Sequence, residues 1–344
     1  IYLIYLKIIQ GDKMKENIEK KISEGIENAV GMVINEREKH YANNSAPTKD
    51  MIQKMVSNYS NANAAISGGT GLIPGPLGMA ASVPEIILII RNQLTMVYDI
   101  AKANGHNEIT KELMLGVFIN AMGNATGNLL IVHGQRIVVK RVGAQALQKI
   151  IVILGGKITQ QVAKSMAAKW IPLAGAAAMA AWSKYSTNKI GTKAVEIFSK
   201  EVVLEDNEVQ DLDLQIISTE TVEESNIDNS VIDKLKIRTF INLIKVDGKI
   251  DDREIELLEN LMDKFELDSN DKIELISEIN SKNKINIDYS ILKGNSQEIL
   301  YLLIDLVAIA KADGEVHITE KLFIKEVAKS LDFDLNDLNL LFES

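Results

Sequence analysis

A ten-residue pattern occurs twice in the last third of the chain. Lys-Val-Asp-Gly-Lys-Ile-Asp-Asp-Arg-Glu at 245–254 returns as Lys-Ala-Asp-Gly-Glu-Val-His-Ile-Thr-Glu at 311–320, with Asp247 and Asp313 66 positions apart. Glycine stops a helix by accepting the left-handed conformation just past its end, so Gly248 and Gly314 each predict a helix that closes and a chain that turns. Asp251 and Glu254 then have the spacing of a capping box, in which each side chain satisfies a free backbone N–H of the next helix. His317 and Glu320 hold those places in the second copy and make a less ideal cap. Ile250 and Val316 plug the turns. Ile255, Leu258, Leu261, Met262 and Phe265 give the following helix one apolar stripe, and Phe323, Val327 and Leu331 do so in the second copy. Residues 231–344 therefore read as a pseudo-repeated helical domain, and the whole chain as all-α.

The acidic turns invite a comparison with calcium loops. With Asp247 at loop position 5, Gly248 and Glu254 fall correctly at positions 6 and 12. Positions 1 and 3 are Leu243 and Lys245, and in the second copy Ile309 and Lys311. Each copy loses two oxygen ligands and gains a cation, which argues against a calcium loop. Weak divalent binding by Asp247, Asp251 and Glu254, or by Asp313, Glu315 and Glu320, stays as an alternative to capping and turn formation. The doubled motif resembles the TerB-like, tellurite-resistance-associated helical domain over about 231–344. That resemblance implies an all-α module linked to stress responses, phage defence and membrane-associated complexes. Its acidic metal positions carry over to Asp247, Asp251 and Glu254, then to Asp313 and Glu320. His317 replaces the acid expected opposite Asp251, which weakens a second site.

Charge divides the chain further. From 131 to 200 the only acidic residue is Glu196, against eleven Lys and Arg; from 201 to 233 there is no Lys or Arg at all. The run EDNEVQDLDLQIISTETVEESNIDNS reads as an acidic linker. The expected organisation is a helical domain over 14–200, a linker over 201–230 and the repeat domain over 231–344. The net charge of -9 thus conceals a basic stretch followed by an acidic one. Zero cysteines exclude disulfides, Cys–zinc and iron–sulfur sites and a thiol nucleophile, and four histidines leave little for imidazole chemistry.

In the first half, Ile18, Ile22, Ile26, Val30 and Val33 define one face of a helix over 14–40. A second helix is expected over 49–60, capped by Ser45 or Thr48, and a third over 84–104, closed by Gly105, with Ile86, Ile87, Ile90, Leu94, Val97 and Ile100 inward. Between them, 55–84 is uncharged and rich in glycine and proline. No Lys follows the glycines as a Walker motif requires, and Pro74 stands where a dinucleotide fingerprint needs Gly, so nucleotide binding is not expected. Close helix packing, or a broken re-entrant hairpin, accounts for the glycines. Residues 113–135 lack Asp, Glu, Lys and Arg and are long enough to cross a bilayer by length alone, though Asn120, Asn124 and Asn128 make a poor lipid face. The segment 170–183 is flanked by Lys169 and Lys184 with Trp170 and Trp182 near its ends, and reads as a buried hairpin or a membrane-docking segment. The basic residues of 131–200 lie in apolar helices without a reading helix or a stacking platform, so no nucleic-acid partner is expected.

The run Gly71-Leu72-Ile73-Pro74-Gly75-Pro76, the helix from Pro84-Glu85 carrying Arg91, Lys169-Trp170-Ile171-Pro172-Leu173-Ala174-Gly175-Ala176 and Asn188-Lys189-Ile190-Gly191-Thr192-Lys193-Ala194 together resemble the EcsC family over about 15–200. The resemblance implies helical, often membrane-associated proteins of undefined activity, and it carries over no catalytic set. The first thirteen residues lack the basic region and length of a signal peptide and read as a fragment edge or an early start. A cytoplasmic location, with association to the inner face of the cell membrane through 68–183, is the expectation. No residue pair forms a nucleophile with its base, so the expected function is a non-enzymatic scaffold or stress-response adaptor that recruits a protein partner. The alternatives are a soluble interaction module with weak divalent binding, and a metal-dependent hydrolase using the acidic turns.

Overall fold

The computed structural model describes residues 2–67, 78, 80–122, 129–164, 174–205, 229–247, 258, 259, 261, 262, 265, 267–281, 283–311 and 316–343. Two compact units are present: one is built from Ile1–Ser67, Met79–Ala163 and Ser183–Val222, and the other includes Glu223–Ser344.

The first unit is organised around α3 (Val83–Ala103), which packs against α1 (Tyr2–Asn43) and α2 (Ile52–Ile66). Ile18, Ile22, Ile26, Val30 and Val33 of α1 are all buried, as their spacing predicts. Helix α3 buries more than one face: Ile86, Ile89, Ile90, Leu94, Met96, Val97 and Ile100 are each at most 2% exposed. Pro84 opens it, where a missing N–H costs nothing. Gly105, at φ +89°, ends it, with the His106 N–H donating to the Ala101 carbonyl. Two glycines mark close helix approach. A β-carbon at Gly155, in α5 (Ala144–Lys164), would lie 2.1 Å from Ser23 Oγ and 3.1 Å from Ser23 Cα of α1. One at Gly191, in α6 (Ala174–Phe198), would lie 2.8 Å from Val56 of α2.

The all-α expectation needs a correction here. Helix α4 (Lys111–Ala121) ends within the uncharged run, and β1 (Leu130–His133) follows. It turns at Gly134 (φ +59°) into antiparallel β2 (Arg136–Val139), which pairs in parallel with β3 (Glu201–Leu204). The fold is predominantly helical with a small three-stranded sheet. The β-branched runs at 131–132 and 137–139 favour the pleated surface. Residues 113–135 thus do not form one spanning helix, and among the described residues no helix is long and apolar enough to cross a membrane. Residues 174–183 open the long helix α6 rather than forming a hairpin, with Trp182 buried. The glycine-rich stretch 68–77, Trp170 and the linker residues 206–228 lie outside the described residues.

The second unit contains α7 (Asn229–Ile244), α8 (Ser269–Asn280), α9 (Ser296–Ala310), α10 (Ile318–Ser330) and α11 (Leu335–Phe342). Helix α9 is its centre: every residue from Tyr301 to Ala310 is buried, Asp305 among them, so the helix is enclosed on all sides. Leu258, Leu261, Met262, Phe323, Val327 and Leu331 are buried as the repeat's stripes require. Asp268, Asn295, His317 and Asp334 cap the helices that follow them.

Candidate functional site

The surface feature with the most chemistry in the second unit is a groove along α10. From Thr319 the positions 322 and 323 lie three and four on, and 326 and 329 follow at steps of three, so Thr319, Leu322, Phe323, Glu326 and Lys329 share one side of the helix. The 3-10 turn Lys245–Asp247, which follows α7, supplies Lys245 and Val246 to the groove, and the chain after α8 supplies Lys284. The groove encloses about 630 Å³, and a smaller recess of about 240 Å³ shares Asn242, Lys284, Phe323 and Glu326 with it.

Its walls are held firmly. The Asn242 side chain donates to the Ile285 carbonyl and accepts from the Ile285 N–H, both at 2.8 Å, which fixes the segment after α8 against α7. Lys245 Nζ donates to the Glu278 and Asn283 carbonyls. Burial lowers the Lys245 pKa, opposed by the Glu278 charge. Lys284 Nζ lies 3.2 Å from Glu326 Oε2 and 5.5 Å from the centre of the Phe323 ring. Lys325 and Lys329 carry no ion pair among the described residues. Among the described residues four lysines therefore line the groove against one glutamate, in a chain whose net charge is -9.

Of the acidic residues proposed as cation ligands, Asp251, Glu254 and Asp313 lie outside the described residues, as does Glu315. Asp247 ends the 3-10 turn at the groove. Glu320 serves its helix: its Oε2 accepts from the His317 N–H at 2.7 Å, while His317 Nδ1 accepts from the Thr319 N–H at 3.4 Å. The second-copy capping box is thus complete despite its histidine. Among the described residues no group of three or more His, Cys, Asp or Glu is placed to hold a metal ion. In the positions where a calcium loop needs oxygen ligands, Leu243 is buried in the core and Lys245 is bound to carbonyls.

The first unit contains the most concentrated buried polar group. Asp99 Oδ1 accepts from Arg37 Nε at 2.8 Å and from the Tyr41 hydroxyl at 2.9 Å, and Oδ2 accepts from the Tyr59 hydroxyl at 3.1 Å. Burial first, then the Asp99 charge, pushes the Tyr41 phenol up to about 12 and raises that of Tyr59 as well. Every partner is spoken for, so this cluster joins α1, α2 and α3 rather than offering a reactive group. Arg91 pairs with Glu36 of α1 through one nitrogen to both carboxylate oxygens, which gives it a surface role.

Residues 237–341 match the family model described as tellurite resistance protein TerB. The matched span encloses every residue of the groove. The C-terminal region is therefore a TerB-like helical domain. No curated protein and no solved structure matches the chain.

Proposed function

We propose that this protein is a non-enzymatic adaptor of the stress-response type, whose TerB-like domain recruits a protein partner. The observation that carries this reading is the family match over a domain whose groove along α10 presents lysines and apolar side chains, while the Thr319 hydroxyl at that groove is drawn into the helix cap, 2.6 Å from His317 Nδ1. The adaptor reading extends to the first half: its resemblance to the EcsC family supports association with a membrane surface at the inner face of the cell membrane. Among the described residues of that half the apolar side chains are for the most part buried, so contact through the surface, rather than a spanning segment, is the form proposed.

Affinity capture from cells tests the adaptor reading: a partner retained by the full chain and lost from a chain lacking 231–344 supports it, and equal recovery by both removes it. Flotation with anionic vesicles at low and high salt tests the membrane reading; a wholly unbound pool at low salt sinks it. Calorimetry with calcium, magnesium and zinc tests the cation reading of the acidic turns, which no heat with any of the three ions defeats.

A further inference from the structure

The exposed flank of α10 has a polarity along its length. Ile318, Leu322, Lys325 and Lys329 stand at i, i+4, i+7 and i+11, one line on the helix surface. Ile318 and Leu322 are 62% and 59% exposed, unusual for side chains of that size lying side by side. The line therefore runs from apolar to basic. Leu322, Lys325 and Lys329 also line the groove, so the strip and the groove are one continuous surface, with Lys284 on the opposite wall.

We infer that this surface binds an acidic peptide segment of a protein partner. Leucine-sized side chains of the peptide lie on Ile318 and Leu322, and its carboxylates meet Lys325, Lys329 and Lys284. The inference rests on the adaptor reading and names the chemistry of its partner. Charge complementarity selects the occupant: among the described residues the groove's Glu326 is neutralised by Lys284 and Lys245 is held by carbonyls, which leaves Lys325 and Lys329 without an ion pair. The chemistry of the lining argues against other anions. Among the described residues that line the groove there is no arginine to grip a phosphate with two parallel bonds. The groove's aromatic ring, Phe323, is buried and offers no platform for a base. Asn242 spends its side chain on Ile285, so base-edge or sugar recognition has no amide to use. A concave surface of about 630 Å³ suits a chain segment better than a planar lipid array.

The test uses the full chain and a fluorescent decapeptide that alternates glutamate and leucine, followed by anisotropy. Binding should exceed that of a serine–leucine decapeptide, weaken several-fold between low and high salt, and fall about tenfold or more in Lys325→Glu/Lys329→Glu. Lys329 is exposed and Lys325 half-buried, and an unchanged melting temperature verifies that the variant keeps its fold. Leu322→Ser should weaken binding about threefold or more with no change in the salt slope. Equal binding of the two decapeptides, or binding indifferent to all three substitutions, overturns the inference. Tighter, lysine-dependent binding of single-stranded DNA or of phosphatidylserine vesicles also overturns it. A cellular partner that is captured through 231–344 but is unaffected by the lysine substitutions leaves the adaptor reading standing and removes this surface from it.

Discussion

Two polar regions, one in each unit, are used in opposite ways. In the first unit, Asp99 is drawn inside and accepts from three side chains, and a buried seam joins Asn63, Gln93 and Thr187, with both amides donating to the Thr187 hydroxyl at 3.0 Å. In the second, the α10 surface leaves lysines facing outward over an apolar floor. Polar groups that hold helices together have no capacity left for a ligand, whereas lysines on a rigid helix keep theirs. If that contrast is sound, substitutions in the first unit act on stability and substitutions in the groove act on binding. The largest effect belongs to Asp99→Ala, which strands the Arg37 guanidinium and two phenols. Loss of one partner of a buried ion pair costs about 3–5 kcal/mol, so calorimetry should show a lower-melting first unit and an unmoved second one.

Next in size is Gly155→Ala. The added carbon meets Ser23 at a helix crossing, and overpacking of this kind costs about 1–3 kcal/mol, set against about 1 kcal/mol gained in helix propensity. The worst contact is with the Ser23 hydroxyl, so Ser23→Ala should recover part of the loss in the double variant, and a double-mutant cycle in denaturant measures it. The pH response gives a third test. The folded Tyr41 phenol sits near 12, above its ordinary value of about 10. A raised folded pKa contributes stability that is whole below about pH 10 and is lost as the pH climbs toward 12. Melting temperature against pH should therefore fall across that window, and Tyr41→Phe should flatten part of the fall.

How much of this was legible in the sequence depends on the range of the contacts. Local periodicity located α1, α3 and the buried stripes of the repeat, because a helix's inward face repeats within a few residues. Gly105 and the His317–Glu320 spacing marked a helix end and a helix start for the same reason. The sheet was not legible: its strands are four residues long, and β3 joins β2 from sixty-five positions away, Glu201 pairing with Arg136. The uncharged run 113–135 hid that change from helix to strand, since an absence of charge does not distinguish the two. The Asp99 cluster gathers residues from Arg37, Tyr41 and Tyr59, and no motif announces it. The groove's lysines come from three separate segments. The line from Ile318 to Lys329 lies within one helix, but exposure cannot be read from spacing alone, and the apolar period of Phe323, Val327 and Leu331 defines the buried side of that helix.

The smallest change is the most discriminating. Lys284 and Glu326 form an ion pair with side chains 65% and 70% exposed, in which solvent screening leaves little net attraction. Glu326→Gln should leave the melting temperature of the second unit where it was. It also removes the one negative charge among the groove's described residues and frees the Lys284 ammonium, which keeps its place over the Phe323 ring. An acidic peptide should then bind a few-fold more tightly, and the gain should vanish at high salt as the added charge is screened. A rise in affinity without a rise in stability separates a surface kept for a ligand from one that holds its own fold. The reverse result, a loss of stability with binding unchanged, would place the α10 surface in the same class as the Asp99 cluster.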